Sequence, residues 1–340
     1  MNFLALHRHK GRMLTALVAT LFLMSFVLIG CGNSGSGGAG TEQQKTQDGS
    51  ADATSSEGQE TRLIKHAMGE TPVPANPKRV VVLTNEGTEA LLALGIKPVG
   101  AVQSWTGNPW YEHIKEQMEG VTPVGLESQV NLEAIAALEP DLIIGNKMRQ
   151  EKIYPQLSAI APTVFSDTLR GEWQTNFKLY AEAVNKVQEG EKVLADFERR
   201  ITEFREKAGD KLSTKVSVVR FMAGKTRLLQ KDTFSGVILD QIGFARPDSQ
   251  NVDAFAEEIT KERIPEMDGD ILFYFTYETG DGEGTKQEKE WLNDPLFKNL
   301  KVVKAGNVHK VDDVIWNTAG GVIAANLFLD DLEKYFLDNK

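Results

Sequence analysis

Apolar residues recur with helical spacing in the middle of the chain: Val193, Phe197, Ile201 and Phe204 follow one another at intervals of four, four and three, and Leu194 widens the stripe. Glu, Arg and Lys fill the other faces, and neither Gly nor Pro occurs between Glu191 and Lys207. The pattern predicts an amphipathic helix over 189–208, about 30 Å long at about 1.5 Å per residue. On either side the pattern changes to short apolar runs that alternate with helical stretches. Strands are predicted at 79–83 (RVVVL), 98–102, 122–125, 141–144 (DLII) and 162–165, with helices at 88–94, 132–138 and 153–160. Beyond residue 208 the same grammar gives strands at 215–221 (KVSVVRF), 271–275 (ILFYF) and 308–311, and helices at 235–242 and 321–336. Apolar strands separated by helices predict largely parallel sheets covered on both faces.

The two flanks resemble each other. Asn131-Leu132-Glu133-Ala134-Ile135, followed by Pro140-Asp141-Leu142-Ile143, aligns with Thr260-Lys261-Glu262-Arg263-Ile264, followed by Gly269-Asp270-Ile271-Leu272. Glu and Asp are eight residues apart in both segments. A weaker match sets 90–95 against 238–243. The expectation is an α/β protein of two lobes, 62–188 and 209–340, joined by the helix 189–208.

The N-terminus is an address rather than structure. His7, Arg8, His9, Lys10 and Arg12 open the chain without an acidic residue, and 13–29 then runs apolar but for Thr15, Thr20 and Ser25. This predicts a secretion signal over 1–30. The junction Leu28-Ile29-Gly30-Cys31 resembles the bacterial lipobox, which implies that Cys31 is lipidated and begins the mature chain. Residues 32–60 hold no aliphatic side chain larger than Ala, so 31–61 reads as a flexible tether. An uncleaved anchor and an ordinary signal peptide are the competing readings, and neither accounts for the tether.

Composition narrows the function. Hydrophobic content of 41% and charged content of 25% are those of a globular protein, and 340 residues leave room for two cores. A net charge of −10 argues against a nucleic-acid partner. The single cysteine excludes an intrachain disulfide. Only His66, His113 and His309 follow the leader, in no ligand-like spacing, so no metal site is expected. Ala223-Gly224-Lys225-Thr226 mimics the end of a phosphate loop, but Val219 stands where its first glycine belongs. Gly280–Gly284 is glycine-rich but acidic and reads as a surface turn, and no Gly-x-Ser-x-Gly elbow occurs. No enzyme activity is expected.

Beside the lipobox and tether stand HAMGETPVPANPKRVVVL (66–83), ALLALGIKPVGA (90–101), VNLEAIAALEPDLIIG (130–145), VSVVRF (216–221), RIPEMDGDILF (263–273) and KVDDVIWNTAGG (310–321). Together they resemble the substrate-binding lipoproteins of iron–siderophore ABC importers of Gram-positive bacteria, over about residues 62–338. Within that family the chain is most similar to the iron(III)-hydroxamate group, including binders of citrate-hydroxamate siderophores such as schizokinen. The resemblance implies two Rossmann-like lobes joined by one long, stiff helix, a ligand cleft between them and little closure on binding. It implies a monomer held on the extracellular face of the cell membrane by its lipid, with a ferric siderophore as ligand and no resident cofactor. It also implies a dimeric permease, with its ATPase, as partner. Receptors for other iron chelates (catecholate, citrate, heme) and a surface enzyme or adhesin on the same scaffold are the alternatives.

An iron already wrapped by its chelator presents a rim of carboxylate and hydroxamate oxygens. These suit the planar fork of Arg, with aromatic rings for the apolar linkers. Arg and aromatic residues at strand carboxyl ends are therefore the candidates: Arg149, Arg220, Trp105 and Trp316, then Arg246, Tyr274 and Tyr277. By resemblance, Glu133 and Glu262 at the matched positions dock into arginines of the permease.

Overall fold

The computed structural model describes residues 60–169 and 171–337; the expected leader, Cys31 and all but the end of the tether lie outside the described residues. An antiparallel hairpin of β1 (Thr61–His66) and β2 (Gly69–Pro74) opens the fold. The first sheet follows, built from β3 (Val80–Val82), β4 (Gly100–Gln103), β5 (Thr122–Leu126), β6 (Gln129–Val130), β7 (Leu142–Asn146) and β8 (Thr163–Ser166). Its order is β6-β5-β4-β3-β7-β8, and every neighbouring pair is parallel except β5 and β6. Val80–Val82 is buried throughout, as a central strand covered on both faces must be.

The second sheet holds β9 (Val216–Met222), β10 (Lys225–Leu229), β11 (Ala256–Glu258), β12 (Ile271–Thr276) and β13 (Val308–Lys310), in the order β11-β10-β9-β12-β13. Here the expectation of a largely parallel sheet needs correction. β9, β12 and β13 are parallel, but β10 runs antiparallel to both β9 and β11. The cause is Ala223-Gly224, which turns the chain straight back with Gly224 at φ +65°. The segment that mimics a phosphate loop is thus a hairpin turn.

The internal repeat has a structural meaning. Asp141 accepts hydrogen bonds from the backbone amides of Lys78 (2.7 Å) and Arg79 (2.9 Å). Asp270 accepts one from Lys215 (2.7 Å). In each lobe this aspartate fixes the entry to a central strand against its parallel neighbour. The glutamates sit in the first turns of Leu132–Ala137 and Lys261–Met267. The second of these is a 3₁₀-helix with Pro265 inside it, where an α-helical hydrogen bond is impossible.

The connecting helix runs Val187–Ala208, 22 residues. Its buried stripe is Gly190, Leu194, Phe197, Ile201, Phe204 and Ala208, with Val193 only half-buried. The apolar face is therefore centred on Leu194. Gly190 is forced by close packing, since a Cβ there would lie 2.7 Å from the Cβ of Ala181. The helix packs on Trp173–Ala183 from the first lobe and on Phe234–Ile242 and Val322–Phe336 from the second. Trp173 lies 5.1 Å from Phe197 and 6.3 Å from Phe234, ring centre to ring centre. One continuous apolar cluster thus runs through both lobes. Each large side chain in it is worth about 1.5–3 kcal/mol of burial.

A second tie joins the lobes away from this helix. Glu89, fully buried on the first-lobe helix Asn85–Ala93, accepts a hydrogen bond from the amide of Ala324 (2.8 Å) in the first turn of Val322–Phe336. Its other oxygen pairs with Nε2 of His113 at 2.6 Å. A Cβ on Gly321 would lie 2.6 Å from that carboxylate, so the helix starts on a glycine for reasons of space. Beside it the hydroxyl of Tyr111 donates to the carbonyl of Thr318 at 3.3 Å.

Candidate functional site

The loops beyond the strand ends of both sheets face each other across a cavity of about 400 Å³. From the first lobe come Asn85 and Glu86 after β3, Trp105 after β4, Glu127 after β5, and Met148 and Arg149 after β7. The second lobe contributes Arg220 and Met222 from β9, Arg227 from β10, Tyr277 after β12 and the 317–320 loop. Phe234 and Phe255 add apolar wall.

Each cleft arginine is held by its own carboxylate. Arg149 donates from Nε to Glu127 at 3.1 Å, and its guanidinium carbon lies 5.7 Å from the centre of the Trp105 ring. Glu127 is itself fixed, accepting from the backbone and side-chain amides of Asn85, both at 3.0 Å. Its remaining oxygen thereby fixes the direction of the fork. The two terminal nitrogens of Arg149 have no hydrogen-bond partner among the described residues.

Arg220 donates from Nε (2.7 Å) and one terminal nitrogen (3.2 Å) to the two oxygens of Asp313. The Thr318 hydroxyl donates to the same carboxylate, and the Tyr277 ring centre stands 4.9 Å from the guanidinium carbon. Arg227 sits directly opposite Arg220 in the β9–β10 register and is bound by Glu258 at 2.7 Å. Like charges facing each other across strands destabilise a sheet unless each is compensated, and here both are. The result is a set of oriented donors whose charge is already balanced. It suits directional capture of an oxygen-rich rim.

Glu86 differs from its neighbours. It is 6% exposed on the cavity wall and has no cationic partner among the described residues. The hydroxyl of Tyr180 donates to it at 3.2 Å. Burial pushes its carboxyl well above the usual carboxylate range, with Glu127 and Glu89 adding to the shift against opposing hydrogen bonds from Asn176 and Tyr180.

The sequence-derived candidates divide cleanly. Arg149, Arg220, Trp105 and Tyr277 line the cavity. Trp316 does not: it is fully buried, 4.6 Å from Phe273 and 4.4 Å from Phe328, and its indole donates to Asp331. Its neighbours 317–320 make the cleft wall instead. Arg246 is a structural residue, buried and donating to the carbonyls of Val216 and Leu229 and to Gln250, each at 2.7 Å. Burial lowers its pKa to about 10. Tyr274 packs on Phe221 (5.7 Å) in the second-lobe core beneath the sheet and is absent from the wall. Alternation along β12 turns it away from the cleft.

Sequence reasoning missed Arg227, Glu127 and Glu86. The signal for Arg227 was Lys225-Thr226-Arg227 after a Gly turn, which reads as a hairpin returning beside β9. For the two glutamates the sequence held no signal, because their role depends on neighbours distant along the chain. The three histidines are engaged elsewhere: His66 with Thr71 in the hairpin, His113 with Glu89, and His309 against Phe273 and Tyr335. Glu133 and Glu262 are exposed, one on each lobe.

Known proteins share this architecture. The probable siderophore-binding lipoprotein YfiY of Bacillus subtilis is 52% identical over 94% of this chain and 97% of that protein. The achromobactin-binding periplasmic protein of Dickeya dadantii is 30% identical over 76% and 86%. The crystal structure of Staphylococcus aureus SirA complexed with staphyloferrin B is 38% identical, with a TM-score of 0.75 over 81% of this chain and 98% of that one. Residues 80–314 match the family model described as periplasmic binding protein. With that match and these relatives, the chain belongs to the periplasmic binding protein family.

Proposed function

We propose that this chain is the lipid-anchored extracellular receptor of an ABC importer, capturing a ferric siderophore of the hydroxamate type and delivering it to the permease. The observation that carries this reading is the cleft itself. Arg149 and Arg220 point from opposite lobes into one cavity, each set by a buried carboxylate, with Trp105 and Tyr277 beside them. Such forks bind the outer oxygens of a chelate whose iron is already fully coordinated, so the protein supplies donors rather than metal ligands. The names of relatives that bind siderophores support the substrate class. Anchoring through Cys31 rests on the sequence, and partnership with a permease dimer and its ATPase rests on the family.

Fluorescence titration tests the ligand. Of the tryptophans only Trp105 lines the cavity. Ferric schizokinen, and ferric citrate as comparison, should quench the emission of the wild-type protein saturably. Trp105→Phe should lose most of that quenching and Trp316→Phe should keep it. No saturable response to any ferric chelate, alongside binding of heme or cobalamin, overturns the reading.

A further inference from the structure

Glu86 is the one buried acid of the cleft that the ligand-binding arrangement leaves unused. We infer that Glu86 stands in the cleft as a neutral carboxylic acid, and that an anionic ligand is captured only while this proton is in place. The inference about the ligand rests on the function proposed above; the inference about the proton does not.

Its surroundings argue for the neutral form. From its own helix Glu89 faces it, already committed to His113 and Ala324. The loop after β5 brings Glu127, committed to Arg149 and Asn85. Helix Trp173–Ala183 brings the phenol of Tyr180 and the amide of Asn176. Across the cavity stand Arg220 and Arg227, each bound to a carboxylate of its own lobe. Among the described residues each arginine of the cavity already faces a carboxylate, and two like charges adjoin Glu86. Burial and the adjoining carboxylates disfavour ionising a carboxyl in such a place by more than the helix N-terminus it occupies can offset. A ligand rimmed by oxygens of its own would add further negative charge over the same spot.

The hydrogen bonds of Glu86 continue away from the cleft. The Tyr180 hydroxyl lies 3.2 Å from Glu86 and 2.7 Å from the hydroxyl of Ser166. Ser166 and Asn176 also line a second cavity, of about 430 Å³. Two buried oxygens nearby, on Asn146 and Thr168, have no hydrogen-bond partner among the described residues, which marks a polar rather than apolar environment.

Two measurements on wild type and Glu86→Gln test this. The first is thermal stability of the ligand-free protein against pH. The folded protein holds the proton more tightly than the unfolded chain, so this contribution is complete below about pH 4.3 and is lost as pH rises toward the folded value. Gln carries no such penalty, so the Tm of the variant minus that of wild type should grow as pH rises above about 4.3 and level off once pH passes the folded value. A difference that stays flat overturns the inference, whatever the ligand is. The second is the dissociation constant for ferric schizokinen between about pH 6 and about pH 9. Wild-type affinity should fall, approaching about tenfold per pH unit above the folded pKa, while the variant's falls by less than about threefold over the range. Parallel pH profiles overturn the coupling to ligand. A growing Tm difference with no binding of any ferric chelate to wild type sinks the proposed function and leaves the protonated Glu86 standing.

Discussion

Arg220 shows what decides whether a cleft arginine serves the ligand or the fold. Its fork spends two nitrogens on Asp313, and the third, with Tyr277 beside the guanidinium, belongs to the cavity wall. Arg246, 26 residues on, spends Nε and one terminal nitrogen on two backbone carbonyls and Gln250 inside the second lobe. The same residue type at the same apparent level of the sheet thus has opposite duties. Arg220→Ala should remove a charge-assisted contact worth about 1.5–3 kcal/mol, which is about 10–150-fold in the dissociation constant of the ferric chelate. Arg246→Ala should instead lower the Tm, by stranding buried carbonyls, and leave that constant unchanged. Titration and melting of both variants decide the matter, and a ligand affinity that responds to Arg246 but not to Arg220 reverses the assignment.

Among the elements, the long helix and the start of the last one both join the two lobes. Packing along Val187–Ala208 holds the lobes through Leu194, Phe197, Ile201 and Phe204. Close to the ligand the restraint is Glu89, which caps Val322–Phe336 from the other lobe and is itself clamped by His113. Residues 317–320, which line the cleft, lead straight into that capped helix. Glu89→Ala should cost about 0.5–2 kcal/mol, as the loss of a cap does, and should enlarge the radius of gyration of the ligand-free protein in scattering. An unchanged scattering curve would leave the long helix as sufficient restraint. The sequence made the long helix plain because periodicity is a local property, and β3, β7 and β12 were plain because buried strands are continuously apolar. Glu89, Glu127 and Gly321 were illegible for the opposite reason. Their partners lie 235, 22 and more than 200 residues away, and nothing local separates a buried capping glutamate from one exposed on a helix. Trp316 misled because its loop does reach the cleft while its ring turns into the core.

At the scale of the whole molecule, each lobe carries one glutamate of the internal repeat on its exposed surface. The matched segments place Glu133 and Glu262 in the first turns of corresponding elements, one on each lobe, both exposed. The Thr260 hydroxyl bonds Glu262 and holds its carboxyl below the usual range, so it is ionised at neutral pH. Neither glutamate lines the cleft. If these glutamates dock to the permease as proposed, capture and delivery are separable by mutation. Replacing one exposed glutamate on each lobe should disturb neither core nor ligand site, yet remove both contacts proposed for the permease. The double change Glu133→Ala with Glu262→Ala should leave the dissociation constant and Tm at wild-type values while abolishing uptake of labelled ferric siderophore by cells that depend on this receptor. Each single change should retain part of the uptake, since one anchored lobe still presents the cleft to the permease. Normal uptake by the double variant would remove these glutamates from the docking surface. Lost uptake accompanied by lost binding would show that the two lobes are coupled more tightly to the ligand than their exposed faces suggest.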